Sequence, residues 1–249
     1  MSSGTALVTG GARRIGKAVV ERLAEAGFAV AIHCNASRGE AEALAAALAT
    51  RGLRAAVVQA DLSQPDAATA LIAAATHALG PCRLLVNNAA LFEPDAAQTF
   101  SAETLDRHIA VNLRAPLLLA QAFAAALPAG EDGLIVNIID QRVLRPNPQF
   151  FSYTVSKSAL WAATQTLAQA LAPRIRVNAV GPGPTLANAF DGPEGVATEA
   201  RGVPLERQVQ PNEIAEAVLY LARARSVTGQ MIAVDGGQHL GWRTPDVVG

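Results

Sequence analysis

Tyr153 and Lys157 stand four residues apart, and Asp140 lies thirteen residues before the tyrosine. On a helix, the i, i+4 spacing puts the phenol and the ammonium on one face. A cation beside a phenol lowers its pKa and makes it a usable acid or base near neutrality. Any helix can carry Tyr-x-x-x-Lys by chance, so the pair gains meaning only from its surroundings. Asp140 is the informative third member. An ionised carboxylate accepts hydrogen bonds and donates none. It would repel the oxyanion that grows on a ketone during reduction, where a hydroxyl donor would help. Reduction of a C=N bond instead delivers the proton to a basic ring nitrogen. A carboxylate can then support a protonated ring, accept from ring N–H groups, or help feed Tyr153 its proton. The alternative is that Asp140 only caps its loop and the site reduces carbonyls with Tyr153 alone.

A second set of residues could hold a dinucleotide. The segment TGGARRIG, Thr9 to Gly16, joins an apolar β-branched run to a helical pattern. Glycines there allow a tight turn and let the backbone approach a pyrophosphate at the helix N-terminus. Its glycines are Gly10, Gly11 and Gly16, and Arg14 stands where a middle glycine is expected. On this reading Gly10, Arg13, Arg14 and Ile15 contact the cofactor; otherwise the segment is an ordinary turn with exposed arginines. After the second strand, HCNASR (His33 to Arg38) contains no acid, and the first is Glu40. An NAD site would want a carboxylate there for the ribose 2′-hydroxyl. Asn35 and Ser37, with Arg13 or Arg14 nearby, suit a 2′-phosphate, which predicts NADPH. They could also merely turn the chain and cap the next helix. Asp61, followed by Leu62, ends the third strand and could accept from the adenine amino group or cap a helix.

These residues need a frame that brings strand ends together. Short apolar runs alternate with helical stretches: ALVT, AVAIH, AAVVQAD, RLLVNNA, GLIVNII, IRVNAV and MIAVDGG supply seven strands. Runs apolar on both faces suit buried parallel strands. The alternation predicts an α/β fold, a Rossmann-type doubly wound seven-stranded parallel sheet in a single domain over residues 1–249. Ligands on such sheets bind at the carboxyl ends of the strands. One long helical region is expected from about Ala102 to Leu127, and a short one around Glu213 to Ala222. The segment Gly181 to Gly202, rich in Gly, Pro and acids, reads as irregular, with residues 183–202 a candidate substrate lid.

Asn87-Asn88-Ala89 ends the fourth strand, Asn112 sits in the following helix, and Pro182-Gly183 follows the sixth strand. With the Thr9–Gly16 turn, Asp61, Tyr153 and Lys157, this set resembles the short-chain dehydrogenase/reductase family along essentially the whole chain. The resemblance implies Tyr153 as proton donor, Lys157 as its pKa-lowering partner and ribose ligand, and Asn112 as holder of a relay water. It also implies that Asn88, Ala89, Pro182 and Gly183 line the cofactor. The family usually has Ser at position 140 and Gly at 14. Asp and Arg there are similar to the pteridine reductase branch, which includes the dihydromonapterin reductases. Phe92 in VNNAALFEP matches the aromatic that such enzymes stack on the pterin, and IHCNAS after the second strand also fits. Arg14, Phe92, Asp140 and Tyr153 are then the substrate contacts. A flat, electron-poor pterin suits an aromatic shelf and an arginine at its polar edge.

The expected activity is NADPH-dependent reduction of dihydropterins, and of folates. The alternative is reduction of a ketone such as a 3-oxoacyl thioester or a sugar, since one fold hosts many substrates. A third reading, a sensor of nucleotide ratios, fits poorly with retention of Tyr153, Lys157 and Asn112. The formal charge of −1 without a dense basic stripe argues against a nucleic-acid partner. No apolar run reads as long enough for a bilayer, and the start MSSGTALVTG does not read as a signal peptide. Cys34 and Cys82 fit no disulfide framework or metal spacing, and His33, His77, His108 and His239 show none either. A cytoplasmic enzyme without metal is expected, and the resemblance implies a homotetramer packed through the Asn112 and Tyr153 helices. Trp161 reads as packing. Trp242 and Arg243, in the tail, could reach a neighbouring subunit's site.

Overall fold

The apolar runs form seven strands: β1 (Thr5–Val8), β2 (Ala29–Cys34), β3 (Ala55–Gln59), β4 (Cys82–Asn87), β5 (Gly133–Ile138), β6 (Ile175–Pro182) and β7 (Met231–Val234). The computed structural model describes residues 4–187, 190 and 192–242; Arg243 lies outside them. All strand pairs are parallel, in the order β3-β2-β1-β4-β5-β6-β7. The chain runs outward from β1 to β3, then crosses back to lay β4 beside β1. Val8 pairs with Ile32 on one side and Val86 on the other. The carboxyl ends of β1 and β4 therefore flank the switch point of the winding, where such sheets open a crevice.

Helices cover both faces. On one lie α1 (Arg14–Glu25), α2 (Arg38–Thr50) and α8 (Pro211–Arg223), with Val20 and Leu23 packed in one core with Leu44, Ile214 and Val218. On the other lie α3 (Ala67–Leu79), α4 (Ala102–Ile109), α5 (Ala115–Ala126) and α6 (Phe151–Leu171), where Leu71, Leu119 and Phe123 pack on Ile135 and Val177. Each such side chain contributes about 1.5–3 kcal/mol by leaving water.

The long helical region expected from about Ala102 to Leu127 is found, and two other expectations are corrected. A π-helical turn, Ala110–Arg114, separates α4 from α5 within that region. Pro116 has no N–H to return to the carbonyl of Asn112 four residues earlier, which breaks the α register there. The joined stretch Ala102–Ala126 does reach the length and mean hydropathy, 1.5, of a bilayer span. Its apolar content is spent on the core, through Leu119, Ala120 and Phe123. Finally, the segment read as irregular holds a helix, α7 (Gly192–Arg201). Gly192 and Gly195 masked it, but Pro193 and Glu194 suit a first turn and Arg201 a last one.

Candidate active site

At the carboxyl ends of the strands opens a cavity of about 620 Å³. It is lined by every predicted cofactor and substrate residue: Gly10, Arg13, Arg14, Ile15, Asn35, Ser37, Asp61, Leu62, Asn88, Ala89, Phe92, Asp140, Tyr153, Lys157, Pro182 and Gly183. Asn112 is not among the lining residues. Residues as far apart in sequence as Gly10 and Gly183 are gathered here because β1, β4, β5 and β6 are neighbours and end together.

The nucleotide end is built around backbone. Gly10 adopts φ 60°, and its N–H donates to His33 Nδ1 at 3.0 Å, while His33 Nε2 meets the Ala60 carbonyl at 3.1 Å. The two bonds require a neutral imidazole with its proton on Nε2, and burial lowers the His33 pKa accordingly. His33 thus ties the ends of β1, β2 and β3 together. Thr9 Oγ1 accepts from the N–H groups of Asn88 and Ala89, locking β4 to β1. A side chain at Gly16 would collide with the Gly10 carbonyl and the Asn88 amide, so only glycine lets α1 start this close to the turn. Arg13, the N-cap of α1, makes no side-chain cap, and the first turn has no acid. Those N–H groups suit an anion. At the far side, a Cβ on Gly183 would lie 2.5 Å from Asp235 Cα, which fixes how tightly this loop wraps the cavity.

Arg14 occupies φ 55°, a left-handed conformation costing a non-glycine residue about 1–2 kcal/mol. That strain explains why glycine is the commoner choice. Its guanidinium donates to the carbonyls of Ala187 at 2.8 Å and Leu186 at 3.3 Å, so it clasps the loop over the cavity. Ser37 is the N-cap of α2 yet makes no capping bond, and Asn35 and Ser37 both face the cavity. Arg13 is paired with Glu40 at 3.5 Å, an exposed pair worth at most about 1 kcal/mol that a phosphate could displace. Asp61 does not cap α3, whose N-cap is Asp66. It accepts from the Ser63 N–H at 2.9 Å, a bond that holds its pKa below the usual carboxylate value.

At the chemical end, Asp140 is the N-cap of a short 3₁₀ turn, Gln141–Val143. Its Oδ1 accepts from the Arg142 N–H at 2.9 Å, and its Oδ2 accepts from the Tyr153 hydroxyl at 3.0 Å. Lys157 Nζ donates to the Ile138 carbonyl at 2.8 Å and lies 5.7 Å from the centre of the Tyr153 ring. The expected lowering of the Tyr153 pKa is not found. Burial raises it well above the ordinary phenol value, and the Asp140 charge and hydrogen bond raise it further. Tyr153 is thus held in its protonated form. Lys157 is itself pushed down to about 8 by burial, partly opposed by Asp140. Asp140 is raised because burial outweighs its hydrogen bonds and the nearby positive charges.

The Asn112 side chain is engaged in the scaffold. Its Oδ1 accepts from the Leu91 N–H at 2.7 Å, and its Nδ2 donates to the Leu91 carbonyl and Ser156 Oγ. Both amide protons are used, so the side chain pins the π turn between the β4 loop and α6 and is not turned to the cavity. Phe92 stacks on Phe150, with centroids 4.2 Å apart and planes at 18°, and meets the Tyr153 ring edge-on at 4.7 Å. Trp161 packs beside Leu160, as expected. Trp242 is exposed and is not among the residues lining the cavity.

Sequence reasoning missed Gln141, Arg142 and Phe150. Gln141 and Arg142 line the cavity and are buried. Phe150 sits at φ 53° as the N-cap of α6. Adjacency to Asp140 was the one available signal for the first two; Phe150 gave none.

Residues 10–239 match a family model described as Enoyl-(Acyl carrier protein) reductase. A short-chain type dehydrogenase/reductase of Picea abies is 35% identical over 248 residues, covering 94% of this chain and 91% of the relative. The chain belongs to the short-chain dehydrogenase/reductase family and is an oxidoreductase of that class. Among solved structures it is similar to FolM Alternative dihydrofolate reductase 1 from Brucella canis, complexed with NADP. That likeness has 54% identity and a TM-score of 0.96 over 99% of this chain and 98% of the other. The same protein from Brucella suis gives 55% and 0.96, covering 99% of both chains. A 3-oxoacyl-[acyl-carrier-protein] reductase FabG of Staphylococcus aureus is 30% identical, over 95% of this chain and 98% of the relative.

Proposed function

We propose that this protein is an NADPH-dependent reductase of dihydropterins, with dihydrofolate among its substrates. The observation that carries the reading is the part-buried hydrogen bond from Tyr153 to Asp140 Oδ2, where a ketone reductase would place a second donor. The Brucella neighbours, named alternative dihydrofolate reductases and crystallised with NADP, support it. So does the cavity. The acid-free end of β2, with Asn35, Ser37 and a displaceable Arg13, fits a 2′-phosphate, and the uncapped α1 with Gly10 and Gly16 fits a pyrophosphate.

NADPH would supply the hydride. The chain's own residues do the rest. Phe92, backed by Phe150, offers a flat shelf for the ring. Tyr153 gives its proton to the ring nitrogen that becomes basic as the C=N bond is reduced, and Asp140 aligns the hydroxyl and accepts from ring N–H groups. Lys157, anchored on the Ile138 carbonyl, holds its ammonium beside the phenol and would stabilise the phenolate left behind. Arg14 clasps the Leu186–Ala187 backbone and keeps the loop over the ring. Asn112 contributes as a pin of the scaffold. A homotetramer in the cytoplasm is the assembly and place that accompany this reading; size-exclusion chromatography with light scattering checks the first.

The FabG likeness keeps one competitor, reduction of 3-oxoacyl thioesters. Following NADPH oxidation with dihydrobiopterin, dihydromonapterin, dihydrofolate and an acetoacetyl thioester decides between them. Pterin or folate turnover with a silent thioester is expected, and Asp140→Ser should cost roughly 10²-fold on the pterin. Thioester turnover with silent pterins would overturn the reading and leave Asp140 a loop cap.

A further inference from the structure

Arg142 is a buried guanidinium to which the proposed chemistry gives no role. It is 9% exposed, lines the cavity, and has no carboxylate at ion-pair distance among the described residues. Burying a charge without an ion-pair partner is costly, so other contacts must offset it. Nη1 donates to Asn147 Oδ1 at 3.1 Å and the Gln149 carbonyl at 3.3 Å, and the guanidinium carbon lies 5.2 Å from the centre of the Phe150 ring.

These contacts close a circuit. Arg142 N–H meets Asp140; Asp140 meets the Tyr153 hydroxyl; the Tyr153 ring meets the edge of Phe92; Phe92 stacks on Phe150; Phe150 lies under the Arg142 guanidinium. Phe150 holds a left-handed φ of 53°, which persists only where surroundings over-determine it. Its restraints include the Phe92 stack, the tilted Phe190 ring and Arg142. We propose that Arg142 is a positioning residue of this site: it braces the Phe150–Phe92 shelf and holds a fixed positive charge against the Asp140–Tyr153 pair. The shelf half rests on the pterin reading; the charge half holds for any substrate Tyr153 protonates.

The groups facing Asp140 are few. Arg142 comes from its own turn, and Tyr153 and Lys157 from α6. The turn Gln238–Leu240, packed on the same loop, carries His239, which is paired with Asp235. The positive charge of Arg142 favours the ionised forms of both Asp140 and Tyr153. Its removal should therefore move both toward higher pH.

The test compares Arg142→Met, Arg142→Lys and Phe150→Leu in the full chain, on a dihydropterin or, if pterins are inert, on the ketone the enzyme does reduce. Arg142→Met should move both limbs of the kcat–pH profile upward and raise the pterin KM about five- to tenfold, leaving the NADPH KM unchanged. Arg142→Lys keeps the charge, so its profile should stay with the wild type, but an ammonium cannot lie flat on Phe150, so the KM rise should remain. Phe150→Leu should reproduce that KM rise with an unmoved profile, and it serves alone if the methionine variant does not fold. An upward profile shift on a ketone with inert pterins would sustain the charge role while ending the pterin reading. If the methionine and lysine variants give the same profile, or Phe150→Leu leaves KM unchanged, the proposal falls and Arg142 only folds its loop.

Discussion

Replacing Asp140 by asparagine keeps the shape of the side chain and its ability to cap the 3₁₀ turn, and removes its charge. Tyr153 is held high first by burial and then by the Asp140 charge and hydrogen bond. Without the charge its pKa falls, and the Lys157 ammonium, which Asp140 raises, falls as well. The alkaline limb of kcat should therefore move to lower pH. Stability should move the other way from activity. Burial raises the Asp140 pKa in the folded chain, so the native state holds that proton more tightly than the unfolded state. Its stabilising contribution is full below the unfolded carboxylate value and is lost as pH rises through the folded one. Above that window the ionised, buried carboxylate costs stability, and asparagine does not. A hydrogen bond to a charged group is worth about 1.5–3 kcal/mol, so kcat should drop about 10- to 150-fold at pH 7. If relief of the buried charge amounts to about 1–2 kcal/mol, Tm at pH 8 should rise by about 2–8 °C in a chain of this size, and the gap should close in acid. The assays are kcat between pH 5 and 10 and thermal melts across the same range. A variant that melts lower at pH 8, with an unmoved alkaline limb, would refute the electrostatic account and leave Asp140 as a structural cap.

Three further outcomes follow from the geometry. Asn35→Asp places a carboxylate where a 2′-phosphate is expected, so the KM for NADPH should rise about 10²-fold while that for NADH holds or falls, as paired steady-state kinetics will read. Arg14→Gly relieves the left-handed strain but frees the loop carbonyls of Leu186 and Ala187. Net stability should rise by at most about 1 kcal/mol, because glycine also loosens the unfolded chain, while substrate KM rises roughly tenfold. His33→Leu orphans the Gly10 N–H and the Ala60 carbonyl, at a cost of about 2–4 kcal/mol in urea unfolding at pH 8. The His33 pKa is lowered in the fold, so its contribution is present above the unfolded value near 6.5 and lost as pH falls through the folded one. The penalty of His33→Leu should shrink in acid accordingly.

The sheet was legible because strand runs apolar on both faces and helices of period 3.6 leave few other architectures. The cavity was legible because its residues sit at strand ends, and topology alone brings strand ends together. What escaped was set by competition between local rules. Gly192 and Gly195 argued for a loop where Pro193, Glu194 and the following alanines make α7. At Asn112, sequence cannot show that Leu91 and Ser156 claim the side-chain amide. The sign at Tyr153 was missed because spacing reveals the lysine and hides the burial, and burial is the larger effect. Arg142 and Phe150 are eight residues apart, and no periodicity links a turn residue to the cap of the next helix.

Two of the three non-glycine residues with positive φ, among those described, belong to the site: Arg14 at the nucleotide end and Phe150 at the chemical end. Each is held by contacts to another segment, Arg14 to Leu186 and Ala187, Phe150 to Phe92 and Arg142. A strained backbone held this way relaxes if its partner moves, so each residue gives its partner segment a preferred position at the expense of local stability. Arg14 therefore ties the loop to the same turn that would hold the pyrophosphate, and Phe150 ties the ring shelf to the first residues of the helix carrying Tyr153. Substituting glycine at Arg14 should therefore make the protein slightly easier to fold and worse at ordering its substrate. That is the opposite of what a purely structural left-handed residue would give.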